Sequence, residues 1–134
     1  MKKILVIGGA HQGKSAWTLA SFPEYKRISF EELLDKNKSN DYSGKICLNG
    51  FHMLMKQCIS EDKNYSEYID MIVKNQSWII IADEIGNGIV PLEKEDRRWR
   101  EETGRALCKI AQNAEEVYRI YCGIPTQIKG GNTK

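Results

Sequence analysis

Residues 8–15, GGAHQGKS, constrain this chain more than any other stretch. They carry the spacing Gly8-x-x-x-x-Gly13-Lys14-Ser15 and sit between an apolar run at residues 2–7, KKILVI, and a helix-compatible run at 14–21, KSAWTLAS. Glycines let a backbone curl until successive N–H groups point into one concavity, and a helix opening behind them adds its positive end. A phosphate chain fits such a concavity, which makes this the full phosphate-loop pattern in its proper strand-to-helix setting. Gly8, Gly9, Ala10, His11, Gln12, Gly13, Lys14, Ser15 and Ala16 are therefore the expected nucleotide-binding residues. Lys14 is expected to reach the β- and γ-phosphates, and Ser15 to ligate Mg²⁺ on the same oxygens. The competing reading is a tight strand-to-helix turn with Lys14 on the surface.

The rest of the chain alternates strand-like with helix-like runs, the pattern of a mostly parallel sheet with helices on both faces. After the helix that Phe22-Pro23 ends, strands are expected at YKRISF (25–30), ICLNG (46–50) and WIIIADE (78–84). The last has four apolar residues in a row before Ala82, as a strand buried on both faces requires. EELLDK (31–36), FHMLMKQCI (51–59) and 66–76 read as helical, the third with Ile69, Ile72 and Val73 on one face and Ser66 as its N-cap. From Glu93 to Ala114, Trp99, Ala106, Leu107, Ile110, Ala111 and Ala114 share a helical face. EEVYRIYCG closes a further strand, and PTQIK is expected to pair antiparallel. These runs give about five to six strands in a single domain over residues 1–129, with 130–134 a flexible tail and 37–45 a solvated loop.

Charge excludes more than it suggests. With 20 basic against 18 acidic residues and no polybasic block, neither nucleic acid nor an anionic membrane is a default partner. The opening apolar run is too short to span a bilayer and leads into a loop motif instead of a cleavage site, so the expected location is cytoplasmic. Cys47, Cys58, Cys108 and Cys122 lack zinc-site spacing and read as reduced core thiols.

Asp83 and Glu84 end the strongest strand, at the sheet edge where a phosphate loop opens, and a carboxylate there can hold Mg²⁺ or its water shell. The competing reading for either is a solvated strand end or a helix cap. The arginines at 97, 98, 100 and 105 lie among acids on one helix, mostly as a solvated face of i, i+4 pairs. Arg105 stands apart because it follows Gly104. A mid-helix glycine costs about 1 kcal/mol relative to alanine and implies close approach by another group. His52, inside GFHMLM, reads first as a partly buried helix residue.

ILVIGGAHQGKS together with ADEIGNGIVPLEKEDRRWREETGRALCKIAQNAEEVYRIYCGIPTQIK resembles the adenosylcobinamide kinase / adenosylcobinamide-phosphate guanylyltransferase family of cobalamin biosynthesis. The resemblance implies a RecA-like P-loop fold and a trimer. It also implies ATP- or GTP-dependent phosphorylation of the aminopropanol hydroxyl of adenosylcobinamide, a small corrinoid, followed by GMP transfer through a guanylylated histidine. By position, Gly8, Gly13, Lys14 and Ser15 form the phosphate loop, Glu84 is the glutamate of E-x-G-x-G-I-V-P, and Arg105 belongs to the Gly-Arg pair. On this basis Lys14, Glu84 and Asp83 are the expected catalytic residues, Ser15 and Glu84 the metal side, and Arg105 a nucleotide contact.

Three departures shape the expectation. Residues 31–45 contain no histidine where the family carries its guanylylated one, Asn49 stands where the family has an acid, and ALCK (106–109) replaces the family's Asn-Gln. Guanylyl transfer is therefore expected to be lost for want of its nucleophile. Phosphoryl transfer relies on positioning and electrostatics, and is expected to persist where Asp83 or Glu84 takes over the metal side. The alternatives are a nucleotide-binding paralogue acting as sensor or partner subunit, and a kinase for a different small hydroxyl compound.

Overall fold

Strands with unbroken apolar runs need cover on both sides, and the chain places them at the centre of its sheet. The computed structural model describes residues 2–10, 12–35, 44–85 and 93–130. Its strands are β1 (Lys3–Gly8), β2 (Lys26–Ser29), β3 (Ile46–Asn49), β4 (Trp78–Asp83), β5 (Glu116–Tyr121) and β6 (Ile124–Lys129), in the order β2-β3-β4-β1-β5-β6. β1 to β5 pair in parallel, and β6 runs antiparallel on β5. β4 is buried from Trp78 to Ala82 and lies between β3 and β1, the central strand that WIIIADE predicts.

The helices are α1 (Lys14–Ser21), α2 (Phe30–Leu34), α3 (Phe51–Ser60), α4 (Tyr65–Val73) and α5 (Lys94–Asn113). Side chains alternate along each strand, so the sheet has two cores. On one face Leu5, Leu48, Trp78, Ile80 and Ala82 pack with Leu33, Phe51, Leu54, Met55, Ile72, Ala106 and Ile110, side chains of α2 to α5. On the other, Ile4, Val6, Cys47, Ile79, Ile81 and Ile120 pack with Trp17 of α1 and the rings of Phe22, Tyr25 and Tyr118. The sheet has helices on both faces, but unequally. Parallel crossovers are right-handed, so the direction of travel across the sheet sets the side on which each helix lies. Three crossovers, β2 to β3, β3 to β4 and β4 to β5, run one way and put α2–α5 on one face. Among the described elements, β1 to β2 alone runs the other way, which puts α1 on the opposite face. The reversal occurs at β1, the strand that carries the glycine loop.

Locally, two expectations are corrected. α4 begins one residue earlier than expected, and its N-cap is Asn64, whose side chain accepts a hydrogen bond from the Ser66 backbone N–H at 3.1 Å. Ser66 is thus inside the helix. The cysteines are all free thiols, but only Cys47 and Cys58 are buried; Cys108 and Cys122 are exposed. The solvated loop expected at 37–45 falls largely, and the tail at 130–134 almost wholly, outside the described residues.

Candidate active site

Parallel register brings the carboxyl ends of the strands to one edge. Gly8 of β1 lies opposite Asp83 of β4 and Ile120 of β5, and Asn49 of β3 lies beside Ile81. The loop opens there. A Cβ on Gly8 would fall 2.5 Å from the Ile120 carbonyl oxygen, so no side chain fits where the chain leaves β1. Gly13 takes φ +86° at the start of α1, a left-handed conformation that glycine adopts at no steric cost. The loop is also tied to the turn between β5 and β6. The Gly123 N–H donates to the Gln12 carbonyl at 2.8 Å, and the Cys122 N–H to Gln12 Oε1 at 2.7 Å.

Lys14 is not on the surface. Its side chain is only 7% exposed, and its ammonium reaches the Gly9 carbonyl at 2.7 Å and Asp83 Oδ1 at 2.6 Å. A solvated turn lysine would not be held this way. Next to it the Ser15 hydroxyl donates to Asn49 Oδ1 at 3.2 Å. His52, in the first turn of α3, closes the far side of Asp83: its Nδ1 accepts the Asp83 backbone N–H at 3.0 Å, and its Nε2 stands 3.3 Å from Oδ2. Burial lowers the imidazole pKa, Asp83 partly restores it, and Lys14 lowers it again. Glu84 turns elsewhere. Its N–H donates to the Gly8 carbonyl at 2.8 Å, while Oε1 accepts from Arg119 Nε at 2.8 Å.

Comparison with known protein families gives a match. The model of the cobinamide kinase / cobinamide phosphate guanyltransferase family covers residues 32–128. The chain belongs to this family. It is a family of transferases of cobalamin biosynthesis, and the six-stranded sheet is the RecA-like α/β fold expected of a member. No curated protein matches the chain. The matched stretch begins after the glycine loop, so the loop's pattern and the family match are independent observations.

In this cobinamide kinase / guanyltransferase family member, the structure brings together Lys14, Ser15, Asp83 and two residues that the sequence reading set aside or treated as a departure, His52 and Asn49. It does not join Ser15 to Glu84, the expected metal pair: Ser15 meets Asn49, and Glu84 meets Arg119. Arg105 stands apart from the loop. It lines a groove of about 280 Å³ between α4 and α5 and approaches Glu101 at 3.9 Å. Among the described residues nothing lies within 4 Å of a Cβ built on Gly104, so close approach by any of them does not explain that glycine. His11 and residues 86–91 of the GNGIVP signature lie outside the described residues. Among the described residues, no three His, Cys, Asp or Glu side chains converge as a metal cluster. Nor is any described helix long and apolar enough to cross a membrane.

Proposed function

We propose that the chain binds ATP or GTP with Mg²⁺ at the Gly8–Ser15 loop and phosphorylates the aminopropanol hydroxyl of adenosylcobinamide, without the guanylyl transfer. The observation that carries this reading is the burial of Lys14 between the Gly9 carbonyl and Asp83, at the sheet edge where the strand order reverses. A lysine held there sits where the phosphates of a bound nucleotide would replace the carboxylate as its partner.

The donor set suits Mg²⁺, which takes oxygen ligands and completes its shell with water and substrate phosphates. Ser15 Oγ and Asn49 Oδ1 supply such oxygens side by side. The ion, when bound, neutralises charge building on the β- and γ-oxygens. Asn49 contributes no charge of its own, so more of that work falls on Lys14 and Asp83. As Lys14 moves to the phosphates, Asp83 Oδ1 loses its partner and becomes the acceptor for the substrate hydroxyl proton. The hydroxyl oxygen then attacks the γ-phosphorus, the bond to the β-phosphate bridging oxygen breaks, the proton passes to Asp83, and the nucleoside diphosphate leaves with the bridging electrons. The absence of histidine from residues 31–45 supports a kinase without the second activity. A homo-oligomer, trimeric by family resemblance, and a cytoplasmic setting belong to the same proposal.

The test is incubation of the full chain with adenosylcobinamide, Mg²⁺ and either nucleotide, read by mass spectrometry. The phosphate ester is expected, with no GMP adduct on the protein, and Lys14→Ala should lower its formation at least a hundredfold. Nucleotide binding without any ester would overturn the kinase and leave the nucleotide-binding paralogue, the reading that Asn49 favours.

A further inference from the structure

His52 contacts one residue twice. Its Nδ1 takes the Asp83 backbone N–H and its Nε2 faces the Asp83 carboxylate, so backbone and side chain of the same residue close on one imidazole. The amide occupies the Nδ1 lone pair, which leaves the hydrogen of the neutral ring on Nε2, the atom that stands 3.3 Å from Oδ2. We propose that His52 is a positioning residue for Asp83, clamping Oδ2 on the α3 side so that Oδ1 alone is presented to the reaction. This rests on the kinase reading given above and adds to it the group that aims the base.

The clamp is itself held from two elements. The Trp99 indole N–H of α5 donates to the His52 carbonyl at 2.8 Å. Gly50 starts α3 at φ +84°, with the Phe30 ring 2.9 Å from where its Cβ would be. His52 therefore has little freedom to follow Asp83 if the carboxylate turns. The arrangement has a consequence in sequence of events. While the site is empty, Asp83 is fixed from both sides, by Lys14 on Oδ1 and by His52 on Oδ2. Once Lys14 turns to phosphate, His52 is the one side chain among the described residues left against the carboxylate to keep it from rotating away from the acceptor. A carboxylate misaimed by a torsion binds nucleotide as before but takes the proton poorly, because proton transfer depends on hydrogen-bond geometry.

Three variants separate aim from fold. His52→Leu removes both contacts, His52→Asn keeps an acceptor for the Asp83 amide but cannot reach Oδ2, and His52→Gln keeps an N–H within reach of Oδ2. The expected result for His52→Leu and His52→Asn is a fall in kcat of about ten- to a hundredfold, the range seen when an orienting partner is lost, with KM and binding affinity for ATP changed less than threefold. His52→Gln should recover most of the loss. Unchanged kcat in a folded His52→Leu protein, or equal losses in all three variants, would overturn the proposal.

A second measurement does not need turnover. Nitrogen NMR of the full chain should show His52 with the hydrogen on Nε2 and a coupling between Nδ1 and the Asp83 amide that persists when ATP and Mg²⁺ are added. Loss of that coupling on addition overturns the clamp. If wild-type protein binds ATP and makes no ester, the kinase reading fails, and this coupling alone judges His52.

Discussion

Protonating His52 would cost the native state an acceptor, because Nδ1 holds the Asp83 amide hydrogen. Burial lowers the imidazole pKa below its ordinary 6.5, with Asp83 opposing and Lys14 reinforcing the shift. The folded state then binds fewer protons than the unfolded chain, so stability from this residue is fully present above pH 6.5 and is lost as pH falls below it. His52 should accordingly titrate below pH 6.5 by NMR, with His11→Gln assigning the two histidines, and the melting temperature of the wild type should fall on acidification more steeply than that of His52→Gln. Titration at or above 6.5 would refute it. Lys14 and Ser15 were legible because their chemistry is written in eight contiguous residues. His52 and Asp83 are 31 apart and meet only through strand order, so the sequence alone gives His52 as a partly buried helix residue, which it is, but not its partner. A usable cue was nonetheless present: His52 falls in the first turn of a helix that follows a strand, which in a parallel sheet puts it at the same edge as the loop. Gly104 is the opposite case, since a mid-helix glycine suggests a close contact that the described residues around α5 do not supply.

At the scale of elements, periodicity located the strands and helices well and their ends less well. α4 shows why. Ser66 and Asn64 both suit an N-cap, and the apolar spacing of Ile69, Ile72 and Val73 is the same whichever one starts the helix. The structure gives the cap to Asn64, whose Oδ1 satisfies the Ser66 N–H, one of the amides that a helix start leaves without a partner. Asn64→Ala should therefore cost about 1 kcal/mol of stability, the usual price of a lost N-cap. Ser66→Ala should change stability by less than about 0.5 kcal/mol, as surface substitutions do. Urea denaturation of both variants checks the pair. A larger loss for Ser66→Ala would return the cap to the position that the sequence suggested. The β5–β6 turn is a second element-scale feature without a local signal. Nothing in PTQIK or YCG announces that the turn's N–H groups will hold Gln12 of the loop, because that contact joins residues about 110 apart.

For the whole molecule, the decisive quantity is where the sheet reverses. Alternating strand and helix runs gave the class, but the order β2-β3-β4-β1-β5-β6 follows from long-range pairing that no window of sequence reports. That order puts α1 alone on one face and opens the loop over the carboxyl edge, where Asn49, Asp83 and the β5–β6 turn converge on it. The proposed nucleotide site is thus built from β1, β3, β4 and the β5–β6 turn together, and its occupancy should be coupled to the stability of the entire domain. A ligand that binds only the folded chain stabilises it by RT ln(1 + [L]/Kd), about 2.7 kcal/mol at a hundred times Kd. In a domain of this size that corresponds to a rise in melting temperature on the order of 10 °C. ATP with Mg²⁺ should produce such a rise in a single cooperative transition, and Lys14→Ala should lose most of it. Part of that loss would be masked if the variant itself melted lower, because Asp83 would be left facing a void where the ammonium had been. The comparison is therefore made as the nucleotide-dependent shift within each protein. A shift in Lys14→Ala equal to that of the wild type would mean that nucleotide, if bound, is held somewhere other than the glycine loop.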